Sequence, residues 1–177
     1  IRTGIRRLLE ARLREEDKGD PQAQQAHLMR FVEELRRSPV AIATREANEQ
    51  HYELPSAFFG LVLGRHLKYS SCYFKPGVTA LDEAEAEMLR LTCERAGLVD
   101  GEQILELGCG WGSLTLWMAE HFPRARITAV SNSRTQKQFI DARAAERGLA
   151  NVEVLTRDAN VLDFPADRRF DRAVSVE

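Results

Sequence analysis

The sequence is poor in the side chains that build disulfide frameworks or metal centres. Its 177 residues hold three cysteines, Cys72, Cys93 and Cys109, an odd number without metal-ligand spacing. That pattern excludes a paired disulfide scaffold and fits a reducing, cytoplasmic setting. The four histidines are scattered, and no two stand four residues apart, so no metal is expected. The longest strongly apolar run, Ala57–Leu63, is far too short to cross a bilayer, and no signal-peptide pattern is present. A formal net charge of -2 leaves no global field that would draw in nucleic acid. There are no repeats and no low-complexity segment. Apolar residues at 44% and charged residues at 29% are ordinary for a soluble globular chain. One local excess stands out: Arg2, Arg6, Arg7, Arg12 and Arg14 face Glu10 alone in the first fourteen residues. The chain starts on Ile and ends on Val-Ser-Val-Glu, in mid-strand by its pattern, as expected of a piece cut from a longer protein.

Hydrophobic spacing divides the chain into two halves. Ile1, Ile5, Leu8 and Leu9, then Leu28, Val32 and Leu35, make stripes at helical spacing, broken at Gly19-Asp20-Pro21 and ended by Ser38-Pro39. Residues 41–75 mix short helical stretches with aromatics. Thr79-Ala80-Leu81-Asp82 resembles a capping box. The helix behind it should bury Leu81, Ala84, Met88 and Leu91 and end at Gly97. From there short apolar strands alternate with helices. Strands are expected near 103–107, 126–130, 152–156 and 171–176, with helices from about 114 and over 134–147. This alternation predicts an α/β fold with an open parallel sheet.

Between the first strand and its helix lies Glu106-Leu107-Gly108-Cys109-Gly110-Trp111-Gly112. Glycines there let the backbone turn sharply and approach a ligand closely, and the next helix N-terminus offers free N–H groups. The spacing is G-x-G-x-G. A dinucleotide fingerprint would need glycine at 113, where Ser113 stands, and an acid after the second strand for the ribose. No Asp or Glu occurs between His121 and Ile140. An acid does precede the first glycine, at Glu106. A methionine-bearing nucleoside, with its ammonium and sulfonium and no pyrophosphate, suits that arrangement better than NAD.

These residues resemble a known family. Ile104–Gly112 looks like the motif of the cyclopropane-fatty-acid synthase superfamily of methyltransferases. Leu67-Lys68-Tyr69-Ser70-Ser71-Cys72-Tyr73-Phe74 and Val130–Gln136 resemble two more of its segments. Ala47–Pro55 is close to the plant coclaurine N-methyltransferase branch. The likeness runs from about residue 45 to the end, and the first forty residues match nothing as specifically. It implies the N-terminal half of a Rossmann-like class I methyltransferase sheet of four parallel strands, preceded by a helical segment and truncated. The expected divisions are N-terminal helices at 1–40, a helical substrate-side cap at 41–98, and an S-adenosylmethionine-binding domain at 99–177, incomplete at its C-terminus. By the same likeness Tyr69 and Ser70 line the methionine end of the cofactor, with Glu106, Gly108 and Gly110 around and beneath it. Asn132 and Gln136 meet the ribose, and Asp158 the adenine. Blander roles stand beside these. Gln136 also completes an S-x-x-Q box with Ser133, Asp158 suits a turn, and His51 and His66 suit packing.

The resemblance implies an acceptor that is either a small-molecule amine or a lipid alkene. Where the lipid enzymes usually have Cys in Tyr-Ser-Cys, this chain has Ser71. Where they usually end the fourth strand on a small residue, it has Glu177, as in the amine branch. The resemblance therefore favours an N-methyltransferase, with Glu177 facing the acceptor; taken alone, the piece is expected to be inactive. The alternative is a cyclopropane-fatty-acyl-phospholipid synthase. The Arg-rich first helix would suit that reading through peripheral contact with anionic lipid. A nucleotide-binding dehydrogenase and a non-catalytic binding module are the remaining readings.

Overall fold

The computed structural model describes residues 1–40, 42 and 56–176. The Ala47–Pro55 motif with His51, and Glu177, lie outside them. The chain divides into two compact units, Ile1–Ile42 and Ala43–Glu177.

The first unit carries two helices, α1 (Arg2–Glu16) and α2 (Pro21–Arg37). Asp20 accepts hydrogen bonds from the backbone of Gln22 and Ala23 and has Pro21 behind it at the first helical position. The sequence placed the break correctly for this reason. Neither helix has a fully buried residue, and Ile5, Leu8, Leu9, Leu28 and Leu35 are all exposed.

In the second unit, α3 (Ser56–Val62) and α4 (Leu81–Arg95) precede β1 (Gln103–Leu107), α5 (Ser113–His121), β2 (Arg126–Ser131), α6 (Arg134–Glu146), β3 (Val152–Thr156), a single 3-10 turn at Ala159–Val161 and β4 (Arg172–Ser175). The four strands are parallel, in the order β3-β2-β1-β4. β2 is central and buried along nearly its whole length. Ile104, Ile127 and Val174 pack with Leu89 and Cys93 of α4 and Leu114 and Met118 of α5. Ala129 and Val154 pack with Leu116, Ile140 and Ala144.

Two glycines end helices by the same device. Gly97 and Gly148 take left-handed φ values of 62° and 67°. In each case the glycine N–H and the next N–H turn back onto the last helical carbonyls: Gly97 to Glu94 and Leu98 to Cys93, Gly148 to Ala145 and Leu149 to Ala144.

The start and the buried face of α4 differ from the sequence reading. Its N-cap is Ala80, with no side-chain cap, so no capping box forms at Thr79. Its buried positions are Ala84, Glu85, Leu89 and Cys93, while Leu81 is exposed and Met88 and Leu91 are only half-buried. The buried stripe is rotated because a glutamate, not a leucine, holds the innermost position of the first turns.

Candidate functional site

The chain leaves β1 and runs to β2 and β3 on one side, then returns to place β4 on the other. Open parallel sheets bind ligands at such a switch, outside the carboxyl ends of the strands. A cavity of about 330 Å³ lies there, lined by the loop after β1, by Val176 after β4, and by residues 67–70.

The loop after β1 owes its shape to glycine. Gly108, Gly110 and Gly112 have φ of 72°, 53° and 80°, a region that costs other L-residues strain. The N–H groups of Gly108 and Cys109 both donate to the Val130 carbonyl, at 3.0 and 3.1 Å, tying the loop to the end of β2. A Cβ on Gly112 would stand 2.6 Å from Ile140 Cγ1, so only glycine lets α5 approach α6 so closely. A Cβ on Gly110 would meet nothing within 4 Å, and Gly110 lines the cavity. There the missing side chain leaves room for a ligand.

Glu106 supplies the cavity's buried acid. It is 3% exposed, lines the cavity, and accepts a hydrogen bond from Thr115 Oγ1 at 2.5 Å. Burial pushes its carboxyl up to about 8, against the opposing hydrogen bond from Thr115. A cation entering the cavity would favour its ionised form. Burial, and Glu106 after it, also raise the Cys109 thiol well above its ordinary value, which keeps it protonated and unsuited to nucleophilic work.

Aromatic packing fixes the walls. Trp111 is buried, with its ring 4.8 Å from Phe59 and 5.3 Å from Phe139, and Phe59 meets Tyr69 edge-on at 5.5 Å. Tyr69 is half exposed beside the cavity, and the Lys68 ammonium donates to Ser70 Oγ.

The cavity therefore gathers Tyr69, Ser70, Glu106, Gly108 and Gly110. Asn132, Gln136 and Asp158 do not line it but follow β2 and β3 at the same end of the sheet. Asn132 is exposed. Gln136 is buried; its backbone N–H reaches Ser133 Oγ at 3.3 Å and its Oε1 accepts from Ser131 Oγ at 2.6 Å, while Nε2 has no partner. Only half of the expected capping box forms, because Ser131 Oγ takes the Ser133 N–H at 3.0 Å. Asp158 caps the 3-10 turn by accepting from the Asn160 N–H at 2.8 Å. Leu67, Lys68 and Trp111 also line the cavity, although the sequence reading gave them no role. Their signal was available, since Leu67 and Lys68 stand inside the 67–74 segment and Trp111 inside the glycine loop.

The donor set suits a methionine-bearing nucleoside. It offers a buried acid at Glu106 and a floor without a side chain at Gly110. Ser113 Oγ and Gln136 Nε2 are buried polar atoms with no partner within the protein.

Similar proteins share this fold. An (S)-coclaurine N-methyltransferase from Thalictrum flavum subsp. glaucum is 42% identical over 177 residues, which is 100% of this chain and 48% of that protein. The alignment includes the first forty residues, where the sequence alone shows no motif as specific. A crystal structure of coclaurine N-methyltransferase bound to N-methylheliamine and SAH superposes with a TM-score of 0.93 at 39% identity, covering 99% of this chain and 50% of that one. A mycolic acid cyclopropane synthase complexed with SAH and CTAB superposes less well, with a TM-score of 0.63 at 28% identity over 72% of this chain and 43% of that one. The chain thus spans about half the length of the curated relatives it matches. Residues 41–177 match the model of the mycolic acid cyclopropane synthetase family, and with this sheet and this glycine loop the chain belongs to that family.

Proposed function

We propose that the protein takes part in S-adenosylmethionine-dependent methyl transfer to the nitrogen of a small-molecule amine. The observation that carries the reading is the cavity at the β1–β4 switch, with its open floor at Gly110 and its buried acid at Glu106. When bound, the cofactor supplies a methyl group already activated on a sulfonium, so the protein's share is alignment and handling of the acceptor's proton. Glu106 holds the cationic end, Gly108 and Gly110 let the backbone approach it, and Tyr69 and Ser70 close over it. Asn132 and Gln136 take the ribose, the latter through its unpartnered Nε2, and Asp158 the adenine amine. Glu177 follows Val176, which lines the cavity, and serves as the acceptor-side carboxylate. The higher identity to N-methyltransferases than to cyclopropane synthases supports the amine over the lipid. The odd number of cysteines, without metal-ligand spacing, supports a reducing, cytoplasmic setting.

Two measurements test the reading. Calorimetry on the chain should give binding of SAH and none of NAD; affinity for NAD alone would overturn the cofactor assignment. In the longest form of the protein, labelled S-adenosylmethionine should transfer its methyl to amines and not to anionic phospholipid vesicles. There Glu177→Gln should lower the rate about a hundredfold while leaving cofactor affinity near its original value. Transfer to lipid alone would assign the lipid branch, with α1 on the membrane.

A further inference from the structure

Residues 64–70 form a strap that carries Tyr69 and Ser70 to the cavity, and its backbone makes an unusual set of bonds. Glu85 of α4 is fully buried, and its two carboxylate oxygens accept three backbone N–H groups from the strap. Oε1 takes Gly64 at 2.9 Å and Lys68 at 3.2 Å, and Oε2 takes His66 at 2.7 Å. The intervening N–H of Arg65 goes to Asp82 Oδ1 at 2.8 Å. Leu67 N–H closes a turn onto the Gly64 carbonyl at 3.0 Å. Leu67 itself has φ 52°, the one positive φ outside glycine among the described residues, and it lines the cavity. A leucine in that region stores strain that persists only where its surroundings over-determine it. Here they do, because the N–H groups on either side of Leu67 end on the two oxygens of one buried carboxylate. The fit is close: a Cβ on Gly64 would stand 2.7 Å from Glu85 Oε2 and 2.8 Å from Asp82 Oδ1.

We infer that Glu85 is a positioning residue of the cavity: by gathering the N–H groups of Gly64, His66 and Lys68 it holds the strained turn at Leu67 and so sets Tyr69 and Ser70 against the ligand. A helix glutamate is suited to this. Successive N–H groups in a turn form a concave anion site, and a carboxylate accepts on both oxygens where an amide accepts on only one. The ligand assignment in this inference rests on the function proposed above; the clamp itself does not.

Glu85→Gln turns an NH2 group toward one of the strap donors and opens the clamp. Hydrogen exchange on the full 177-residue chain should then show the His66 and Lys68 amides exchanging at least about tenfold faster, with the amides of β1 and β2 unchanged. Affinity for SAH should fall about tenfold or more. Affinity for adenosine, which lacks the amino-acid end that Tyr69 and Ser70 meet, should stay within about twofold. A merely structural role would weaken both ligands alike. Leu67→Gly in the Glu85→Gln background should restore part of the SAH affinity, because glycine adopts that φ without strain. If Glu85→Gln does not fold, Gly64→Ala pushes the same carboxylates from the strap side and should give the same exchange pattern. Unchanged His66 and Lys68 protection in these variants overturns the clamp. Equal losses for SAH and adenosine overturn the positioning role. If the unsubstituted chain binds no SAH, the proposed function falls, and the clamp is decided by exchange alone.

Discussion

The loop at 108–112 and the strap at 64–70 reach the same cavity by opposite means. The loop is shaped by side chains that are missing: three glycines with positive φ, one leaving open space and one leaving room for Ile140. The strap is shaped by a side chain that is present, since Glu85 collects its N–H groups and holds a leucine where glycine would be at ease. A conformation intrinsic to the residues survives loss of neighbours, whereas a conformation imposed by a partner goes with the partner. Substitutions in the loop should therefore act through added volume, and substitutions around the strap through lost acceptors.

The largest expected effect is at Gly110. Gly110→Val should abolish SAH binding in calorimetry, because the branched side chain would occupy the open floor; a variant that folds and binds as the parent does would make the loop a structural turn only. Next comes Gly112→Ala. Left-handed strain of about 1–2 kcal/mol adds to overpacking of about 1–3 kcal/mol against Ile140. Denaturant unfolding should show a loss of about 2–5 kcal/mol, and a loss below about 1 would mean that α5 and α6 move apart freely.

Glu106 gives a smaller effect that depends on pH. Its folded carboxyl titrates at about 8 against an ordinary value of 4.5. Between those values the folded chain keeps a proton that the unfolded chain has released, so its contribution to stability falls as pH rises and levels off above about 8. A cationic ligand favours the ionised form, so SAH affinity should rise toward pH 8, by at most about tenfold per unit. Glu106→Gln should flatten both slopes; slopes unchanged in the variant would assign them to another group. The smallest effect is at Asp82, which accepts one strap N–H at the exposed side. Asp82→Asn keeps an acceptor oxygen and should cost less than about 1 kcal/mol, leaving His66 and Lys68 protected. A loss equal to that of Glu85→Gln would erase the distinction between the two carboxylates.

The loop was legible in the sequence and the strap only in part. A strand, three close glycines and a helix stand next to one another in the chain, so local rules find them, and so does the break at Asp20-Pro21. β1 to β4 were read within a residue or two, because each is a short stretch rich in apolar residues and bounded by turns. Tyr69 and Ser70 were picked out by resemblance, but the group that fixes them was not. Glu85 lies seventeen to twenty-one residues from the N–H groups it accepts, and a glutamate on a helix reads as a solvated position until the partners are seen. The same blindness rotated the expected buried face of α4. The capping box expected at Thr79 failed because the helix starts one residue later than that motif requires.

The strand order carries a consequence for the sequence of events in folding. β1 pairs with β2, and β2 with β3, through connections of one helix each. β4 must instead come back to β1, as the Asp171 carboxylate does on reaching the Gln103 N–H across 68 residues. Closing that longer loop costs about 1 kcal/mol more than joining β1 to β2, and the gain arrives only once β1 is in place. β4 is therefore expected to be the last strand to dock. The cavity needs both strand ends, so it would exist only after the rate-limiting step. SAH should then slow unfolding in stopped-flow experiments and leave the refolding rate unchanged; faster refolding with ligand would mean that the cavity is already formed in the transition state.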